Sequence, residues 1–156
     1  MTEQVIAVDP GGHTGIIRYF DHSEGADDWW KAYQEPWEKA IDLIDEWLMH
    51  TDSDVHTTIV VERYAITMQT LKKSRQYEAL YCIGGLLVFA RKYGCDIVLQ
   101  SPGEAKALVT DERIKTLGWY DAVKGKEHAR DALRHLVRWL VQTKRMDPGR
   151  LLGLDV

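Results

Sequence analysis

Two acidic side chains stand where short apolar segments end, and both segments have the β-branched composition of buried strands. Asp9 follows "VIAV", and Glu62 ends "TTIVVE" at positions 57–62. Strand side chains alternate between the two faces of a sheet, so Asp9 shares its face with Val5 and Ala7. A carboxylate there costs free energy unless a cation or hydrogen bonds compensate it. Asp9 is therefore either a turn acid that caps the hairpin after it or a metal ligand held by a rigid sheet.

A second group of polar side chains lies in "KEHARDALRHLVRWL", which has the period of a helix over residues 126–144. His128 and Asp131 are spaced i, i+3 and share one face, and His135 follows one further turn along. Glu127 lies four residues before Asp131. Taken singly, the acids could belong to a first helical turn that the helix dipole favours, and the histidines could be ordinary polar residues.

Considered together, Asp9, Glu62, His128 and Asp131 predict a metal site. The first two end different strands, and the other two open a helix that can pack beside those strand ends. Three carboxylates with one imidazole suit Mg²⁺ or Mn²⁺ better than Zn²⁺. Such a cluster, holding two divalent ions, is suited to the in-line attack of water on a phosphodiester.

Hydrophobic periodicity and turn signals predict the elements that would position these residues: a meander of three strands, then strands alternating with helices, in an α/β domain. The predicted strands cover residues 5–9, 15–19, 29–34, 57–62 and 95–100. The predicted helices cover 36–49, 74–93, 102–109 and 126–144, with a further turn or two in 110–117 and a loop over 118–125.

The sequence "SPGE" predicts a capping box with Ser101 at the N-cap. Gly84 and Gly85 each cost a helix about 1 kcal/mol, which predicts that another backbone approaches closely there.

The composition is that of an ordinary globular chain, with 156 residues of which 45% are apolar and 28% are charged. This length predicts a single domain over residues 1–156. No apolar run approaches the ~20 residues of a membrane span, and no signal-peptide pattern opens the chain, which predicts a soluble intracellular protein with no membrane partner. Cys82 and Cys95 lack metal-type spacing and are predicted to be reduced and buried.

The net charge of −4 is distributed unevenly along the chain. Residues 1–56 hold 13 acidic and 3 basic residues, a net charge of −10, whereas residues 57–156 hold 11 acidic and 17 basic residues, a net charge of +6. The basic part could form a surface that faces phosphates while the acidic part faces away. The alternative is that both are solvated faces.

Four motifs, "IAVDPGGHTGI", "IVVERY", "SPGEAKALV" and "HARDAL", resemble in order and spacing the RuvC family of Holliday junction resolvases. The resemblance extends from about Val5 to about Val141 and is closest to the short RuvC-like resolvases of bacteriophages and bacteria. It implies an RNase H-like fold, with a five-stranded mixed sheet flanked by helices. It also implies a metal-dependent endodeoxyribonuclease that resolves four-way DNA junctions by paired nicks.

The same resemblance implies roles for particular residues. Asp9, Glu62, His128 and Asp131 would be the catalytic and metal-binding set for two Mg²⁺, with Mn²⁺ as an alternative ion. His128 would be either the fourth ligand or the group that orients the attacking water. Lys106 would approach the backbone phosphate.

The remaining expected DNA contacts fall into two groups. Basic residues after the second acid would hold phosphates, namely Arg63, Lys72, Lys73 and Arg75, and Tyr64 beside them is a further expected DNA contact. Lys106, Lys124 and Lys126 would act nearer the cut. The family places an aromatic wedge three residues after the second acid. This chain has Ala65 there, and Tyr64 and Met68 are the candidates to replace it.

The resemblance further implies a homodimer formed through helix 74–93, with two active sites on opposite arms of a branched DNA, in the cytoplasm of a bacterial or phage-infected cell. Two alternatives remain open. One is an endonuclease of the same fold with a broader choice of branched or flap DNA. The other is a non-catalytic DNA-binding module, for which the loss of an acid would be the sign.

Overall fold

The computed structural model describes residues 3–21, 29–64 and 77–154. Several positions assigned above lie outside these ranges, namely Ala65, Met68, Lys72, Lys73, Arg75 and the first three residues of the predicted helix 74–93.

A mixed sheet of five strands in the order β3-β2-β1-β4-β5 forms the centre of the described part of the chain. Its strands are β1 (Glu3–Asp9), β2 (His13–Asp21), β3 (Trp29–Pro36), β4 (His56–Glu62) and β5 (Asp96–Gln100). The first three pair antiparallel as a meander, and β4 pairs parallel with both β1 and β5. Parallel pairing requires a crossover connection, which helices supply here. The expected fold class, a five-stranded mixed sheet flanked by helices, is confirmed.

Helices cover both faces of this sheet. They are α1 (Trp37–Met49), α2 (Tyr77–Tyr93), α3 (Pro102–Leu108), α4 (Asp111–Thr116), α5 (Tyr120–Val123) and α6 (Glu127–Gln142), followed by a 3₁₀ helix (Pro148–Leu152). Helix α6 packs on one face, where its residues Leu133, Leu136 and Val137 meet Val5 and Val60 of the sheet in an apolar core. On the opposite face, α1 and α2 cover a second core. Asp9 lies on the same face of the sheet as Val5, and Glu62 lies on the same face as Val60. Both acidic side chains therefore point toward α6.

Four local features differ from the expectations. Strand β3 continues to Pro36, and α1 begins one residue later, because Pro36 pairs with His13 on the neighbouring strand. The loop expected at 118–125 contains helix α5, and the end of the chain forms the 3₁₀ helix. The "SPGE" segment starts α3 without the capping box, since Ser101 makes no side-chain cap hydrogen bond. Glu104 instead forms an ion pair with Arg138 of α6.

The two glycines of α2 have different surroundings. A Cβ added at Gly85 would meet only the Ile41 side chain of α1, at 3.1 Å, and one added at Gly84 would meet nothing within 4 Å. Within the described residues of this single chain, therefore, no backbone approaches either glycine, and the approach of a second copy at this pair stays a prediction. Gly84 is exposed. None of the helices in the described ranges has the length and apolarity to cross a bilayer.

Candidate active site

The two strand acids lie side by side at the carboxyl ends of adjacent parallel strands. Val8 of β1 pairs with Val61 of β4, and the next residue on each strand is Asp9 and Glu62 respectively. Because both side chains point toward α6, neither caps the hairpin as a turn acid. That role belongs to Thr14, whose hydroxyl donates to the Gly11 carbonyl at 2.9 Å.

Asp9 and Glu62 belong to a row of residues that crosses the whole sheet. In the strand register, Asp9 pairs with Gly15, Gly15 pairs with Gln34, and Glu62 pairs with Gln100. Each strand thus contributes one residue, and all five face α6; we call this set the polar row: Gln34, Gly15, Asp9, Glu62 and Gln100. The apolar core of that face ends at the polar row.

Helix α6 places its first turns over the polar row. The Nδ1 atom of His128 lies 2.8 Å from Oδ2 of Asp9. Asp9, Glu62, His128 and Asp131 line one cleft of about 300 Å³, together with the hairpin loop at positions 10–12, Tyr64, and Ala79 of α2. The structure therefore brings all four candidate catalytic residues to one cleft.

Two residues that sequence reasoning missed fix the start of α6 over Asp9. The Oε1 atom of Gln34 accepts hydrogen bonds from the backbone N–H groups of His128 at 3.0 Å and Ala129 at 3.4 Å. Lys126, the N-cap residue, makes no side-chain cap hydrogen bond. Gln34 instead accepts from backbone N–H groups that have no intrahelical partner at the start of a helix. Gly15 permits this contact, because a Cβ there would lie 2.0 Å from the carbonyl carbon of His128.

Asp131 is held by two cationic side chains. Lys106 of α3 places its Nζ 3.0 Å from Oδ2, and Arg134 of α6 contacts Oδ1. Arg134 also pairs with Asp111 and donates from Nε to the Val109 carbonyl at 3.0 Å. These contacts fix α3 and α4 beside the cleft and bring Lys106, an expected phosphate contact, to its edge.

Burial and mutual repulsion shape the electrostatics of the cleft. Asp9 is only 6% exposed, and burial raises the pKa of its carboxyl above the ordinary value. The hydrogen bond from His128 opposes this, whereas the negative charges of Glu62 and Asp131 raise the pKa of Asp9 further. The hydrogen bond with Asp9 raises the pKa of His128, and the bond with Asp131 raises that of Lys106. A divalent cation would relieve the repulsion among the three carboxylates.

The chemistry of these donors fits Mg²⁺ or Mn²⁺, since hard cations prefer carboxylate oxygens. Among residues 3–21, 29–64 and 77–154, however, no three His, Cys, Asp or Glu side chains are arranged so that they could hold a metal ion. Binding would require the His128–Asp9 contact and the contacts of Asp131 with Lys106 and Arg134 to open. These four residues therefore remain candidate ligands.

Comparisons with known proteins bear on the fold. Neither the comparison with protein-family models nor that with curated proteins finds a match. Among solved structures, the Thermus thermophilus RuvC structure matches with a TM-score of 0.54 and 17% identity, covering 92% of this chain and 97% of that one. T. thermophilus RuvC in complex with a Holliday junction substrate matches with a TM-score of 0.53 and 17% identity, covering 86% and 89%.

The chain has the fold of RuvC. The RNase H-like architecture expected from the motifs is thereby confirmed, and the two matches cover 86% and 92% of this chain. At 17% identity the likeness concerns the fold, and the roles of individual residues remain predictions.

The expected DNA contacts that the structure describes lie around the cleft. Tyr64 lines it, and Arg63 follows Glu62 as an exposed side chain whose backbone N–H donates to Gln100 at 2.7 Å. Lys124 and Lys126 are exposed on the segment that leads into α6. Arg63 and Lys126 thus lie within two residues of the cleft residues Glu62 and His128 in the chain.

The least expected contact of a cleft residue is the one between Glu62 and His135, which sequence reasoning noted but did not assign to the site. His135 is buried, with Nε2 located 2.9 Å from Oε2 of Glu62 and Nδ1 located 3.0 Å from Oε1 of Gln100. The signal was its position one turn after Asp131 on the same helical face.

Proposed function

We propose that this chain is a divalent-metal-dependent endonuclease that resolves four-way DNA junctions by paired nicks. The observation that carries the proposal is the cleft in which three carboxylates and an imidazole from β1, β4 and α6 meet on a RuvC fold. One of the matched RuvC structures is a complex with a Holliday junction substrate, which favours branched DNA over other phosphodiesters.

In this proposal Asp9, Glu62, His128 and Asp131 would hold two Mg²⁺, with Mn²⁺ as an alternative. When bound, these cations would polarise the scissile phosphate and supply a nucleophilic water at neutral pH. His128, at the mouth of the cleft, would complete the ligand set or accept a hydrogen bond from that water. Lys106 would leave Asp131 and pair with a phosphate oxygen, since an ammonium binds phosphate as a point charge.

DNA would approach the cleft past Arg63, Lys124 and Lys126. These side chains are exposed and would pair with backbone phosphates, and Tyr64 would stack on a base near the junction centre. The positions 72, 73 and 75 would extend this surface.

A homodimer would place two such clefts on one junction. The exposed side of α2 has an apolar stripe, with exposed fractions of 38–63% for its large side chains and the exposed Gly84 among them. The members of this α2 stripe are Tyr77, Leu80, Tyr81, Gly84, Leu87 and Val88. Their spacing is that of one helical face, and such a contiguous apolar surface is typical of a protein interface.

A cleavage assay tests the proposal. Wild type and Asp9→Asn are incubated with matched four-way, flap and linear DNA, with and without Mg²⁺. We expect metal-dependent paired nicks in the four-way substrate and none with the variant, which should still bind the junction. Equal cleavage of flap DNA would favour the broader branched-DNA nuclease. Binding without any cleavage by the wild type would favour a non-catalytic module.

A further inference from the structure

His135 occupies a position that the proposed chemistry does not explain. Its side chain is 1% exposed, and it lies between two residues of the polar row, Glu62 and Gln100. A buried histidine that contacts only apolar neighbours would serve packing alone. Here both ring nitrogens have polar partners, on two different strands.

The contact with Glu62 is directional. His135 Nε2 lies 2.9 Å from Oε2, so an N–H on that nitrogen donates to one carboxylate oxygen and leaves the other, Oε1, for the cleft. A glutamate side chain has three rotatable bonds, and a donor from the rigid helix α6 restricts them. The carboxylate is thereby held at the end of β4 in one orientation.

Hydrogen-bond accounting around Gln100 specifies which nitrogen of His135 carries the proton. Gln100 is 3% exposed, and among the described residues its Nε2 has no hydrogen-bond partner, while its Oε1 faces His135 Nδ1. A half-turn of the amide exchanges these two atoms. The amide N–H then donates to a bare Nδ1, and the buried unpaired group becomes a carbonyl, which is the less costly orphan. Nε2 of His135 then carries the proton that faces Glu62.

We propose that His135 is a positioning residue for Glu62, and that Gln100 fixes the His135 tautomer that donates to this carboxylate. The inference rests on the proposed function, because it assigns Glu62 to the metal set. Partners that orient metal ligands in this way typically change metal affinity about 10- to 100-fold when they are removed.

A matched pair of variants tests it. In His135→Gln the amide nitrogen reaches the place of Nε2 and can still donate to Glu62, whereas in His135→Asn it reaches only the place of Nδ1. Leu136→Ala is the stability control, because this neighbouring core residue is fully buried and packs in the apolar core of the same sheet face.

Binding of Mn²⁺ alone is followed by the electron paramagnetic resonance of the free ion, and junction cleavage is measured alongside. We expect His135→Asn to bind Mn²⁺ about 10- to 100-fold more weakly, and His135→Gln and Leu136→Ala to bind it as the wild type does. Equal affinity in His135→Asn and wild type overturns the inference. So does an equal loss in Leu136→Ala, since the effect would then be one of general stability.

A second measurement does not depend on how the variants fold. Nitrogen-15 spectra of the wild-type imidazoles should show a proton on Nε2 of His135 and none on Nδ1. A proton on Nδ1 overturns the assignment. Failure of the proposed function would look different, because the wild type itself would then bind no Mn²⁺ and cut no junction.

Discussion

At the scale of single residues, Asp9 shows the conflict between stability and function most directly. Its carboxylate is buried next to Glu62 and Asp131, whose charges repel it, and His128 compensates only one oxygen. A buried charge that lacks full compensation lowers the free energy of unfolding. The proposed cations would compensate the repulsion among these carboxylates. Because they would bind only the folded state, they would also stabilise it.

Asp9→Asn should therefore separate intrinsic stability from metal-dependent stability. Without added metal, we expect the variant to unfold at the same temperature as wild type or higher, because it removes a buried charge and keeps an oxygen for His128. Mg²⁺ at 100 times its Kd should stabilise the wild type by about 2.7 kcal/mol, or roughly 5–10 °C, and the variant not at all. Thermal denaturation followed by circular dichroism measures both; an equal Mg²⁺-dependent rise in the variant contradicts the assignment of Asp9.

Gln34 acts through hydrogen bonds that a conservative substitution can preserve. Gln34→Leu leaves the N–H groups of His128 and Ala129 without their acceptor and should lower the free energy of unfolding by about 1 kcal/mol, as for a lost helix cap. Gln34→Glu keeps an acceptor and places a negative charge at a helix start, so we expect it to retain wild-type stability. Urea denaturation compares the two, and an equal loss in both would refute a capping role.

At the scale of elements, the site depends on how closely α6 approaches the sheet. Gly15 is the point of closest approach, because a Cβ there would lie 2.0 Å from the His128 carbonyl carbon and oxygen. Neither β2 nor the first turn of α6 can move away from the other without losing backbone hydrogen bonds. Glycine is therefore required at this position for packing.

Gly15→Ala should displace the start of α6 and with it His128. We expect the free energy of unfolding to fall by at least about 3 kcal/mol, the upper end for overpacked cores, and metal-dependent stabilisation to be lost. Gly103→Ala in α3 is the matched control, since a Cβ there meets nothing within 4 Å. Chemical denaturation with and without Mg²⁺ measures both effects. Wild-type behaviour of Gly15→Ala would show that the contact can relax.

The same elements show how far the sequence could predict this site. Alternation along β1 and β4 and the i, i+3 spacing in α6 were enough to predict that Asp9, Glu62, His128 and Asp131 face one another. Contacts between elements that share no local pattern were not predictable. Gln34 lies 94 residues before His128 in the chain, and its role depends on the register of β3, which no local signal determines. For the same reason, Gly84 and Gly85 predict a close approach without specifying its partner; within the described residues a Cβ at Gly85 meets only the Ile41 side chain.

At the scale of the whole molecule, the uneven charge distribution predicts how strongly DNA binding depends on salt concentration. If Lys124 and Lys126 each pair with a phosphate, replacing both with glutamate should reduce the slope of log K against log salt by about 0.9 per lost contact. The control is the double variant Lys144→Glu with Arg150→Glu. It changes the net charge by the same amount, at positions after the C-terminal end of α6. We expect that control to keep the wild-type slope. Junction binding at several salt concentrations measures it, and identical slopes in both double variants would indicate a solvated surface.

Assembly is a property of the whole molecule, and the proposed paired nicks would require two clefts. The α2 stripe exposes Leu87 and Val88 at 47% and 63%, and an apolar face of this kind loses water contact when two copies pack together. Leu87→Glu with Val88→Glu should therefore yield a monomer in analytical ultracentrifugation. The control, Leu152→Glu with Leu154→Glu, alters side chains that are 60% and 58% exposed but lie outside α2, and should sediment as wild type.

On a supercoiled plasmid with an extruded cruciform, coordinated nicks release linear DNA, whereas a monomer should release mainly nicked circles. A Leu87/Val88 variant that sediments as wild type and still linearises the plasmid would show that α2 is not the interface.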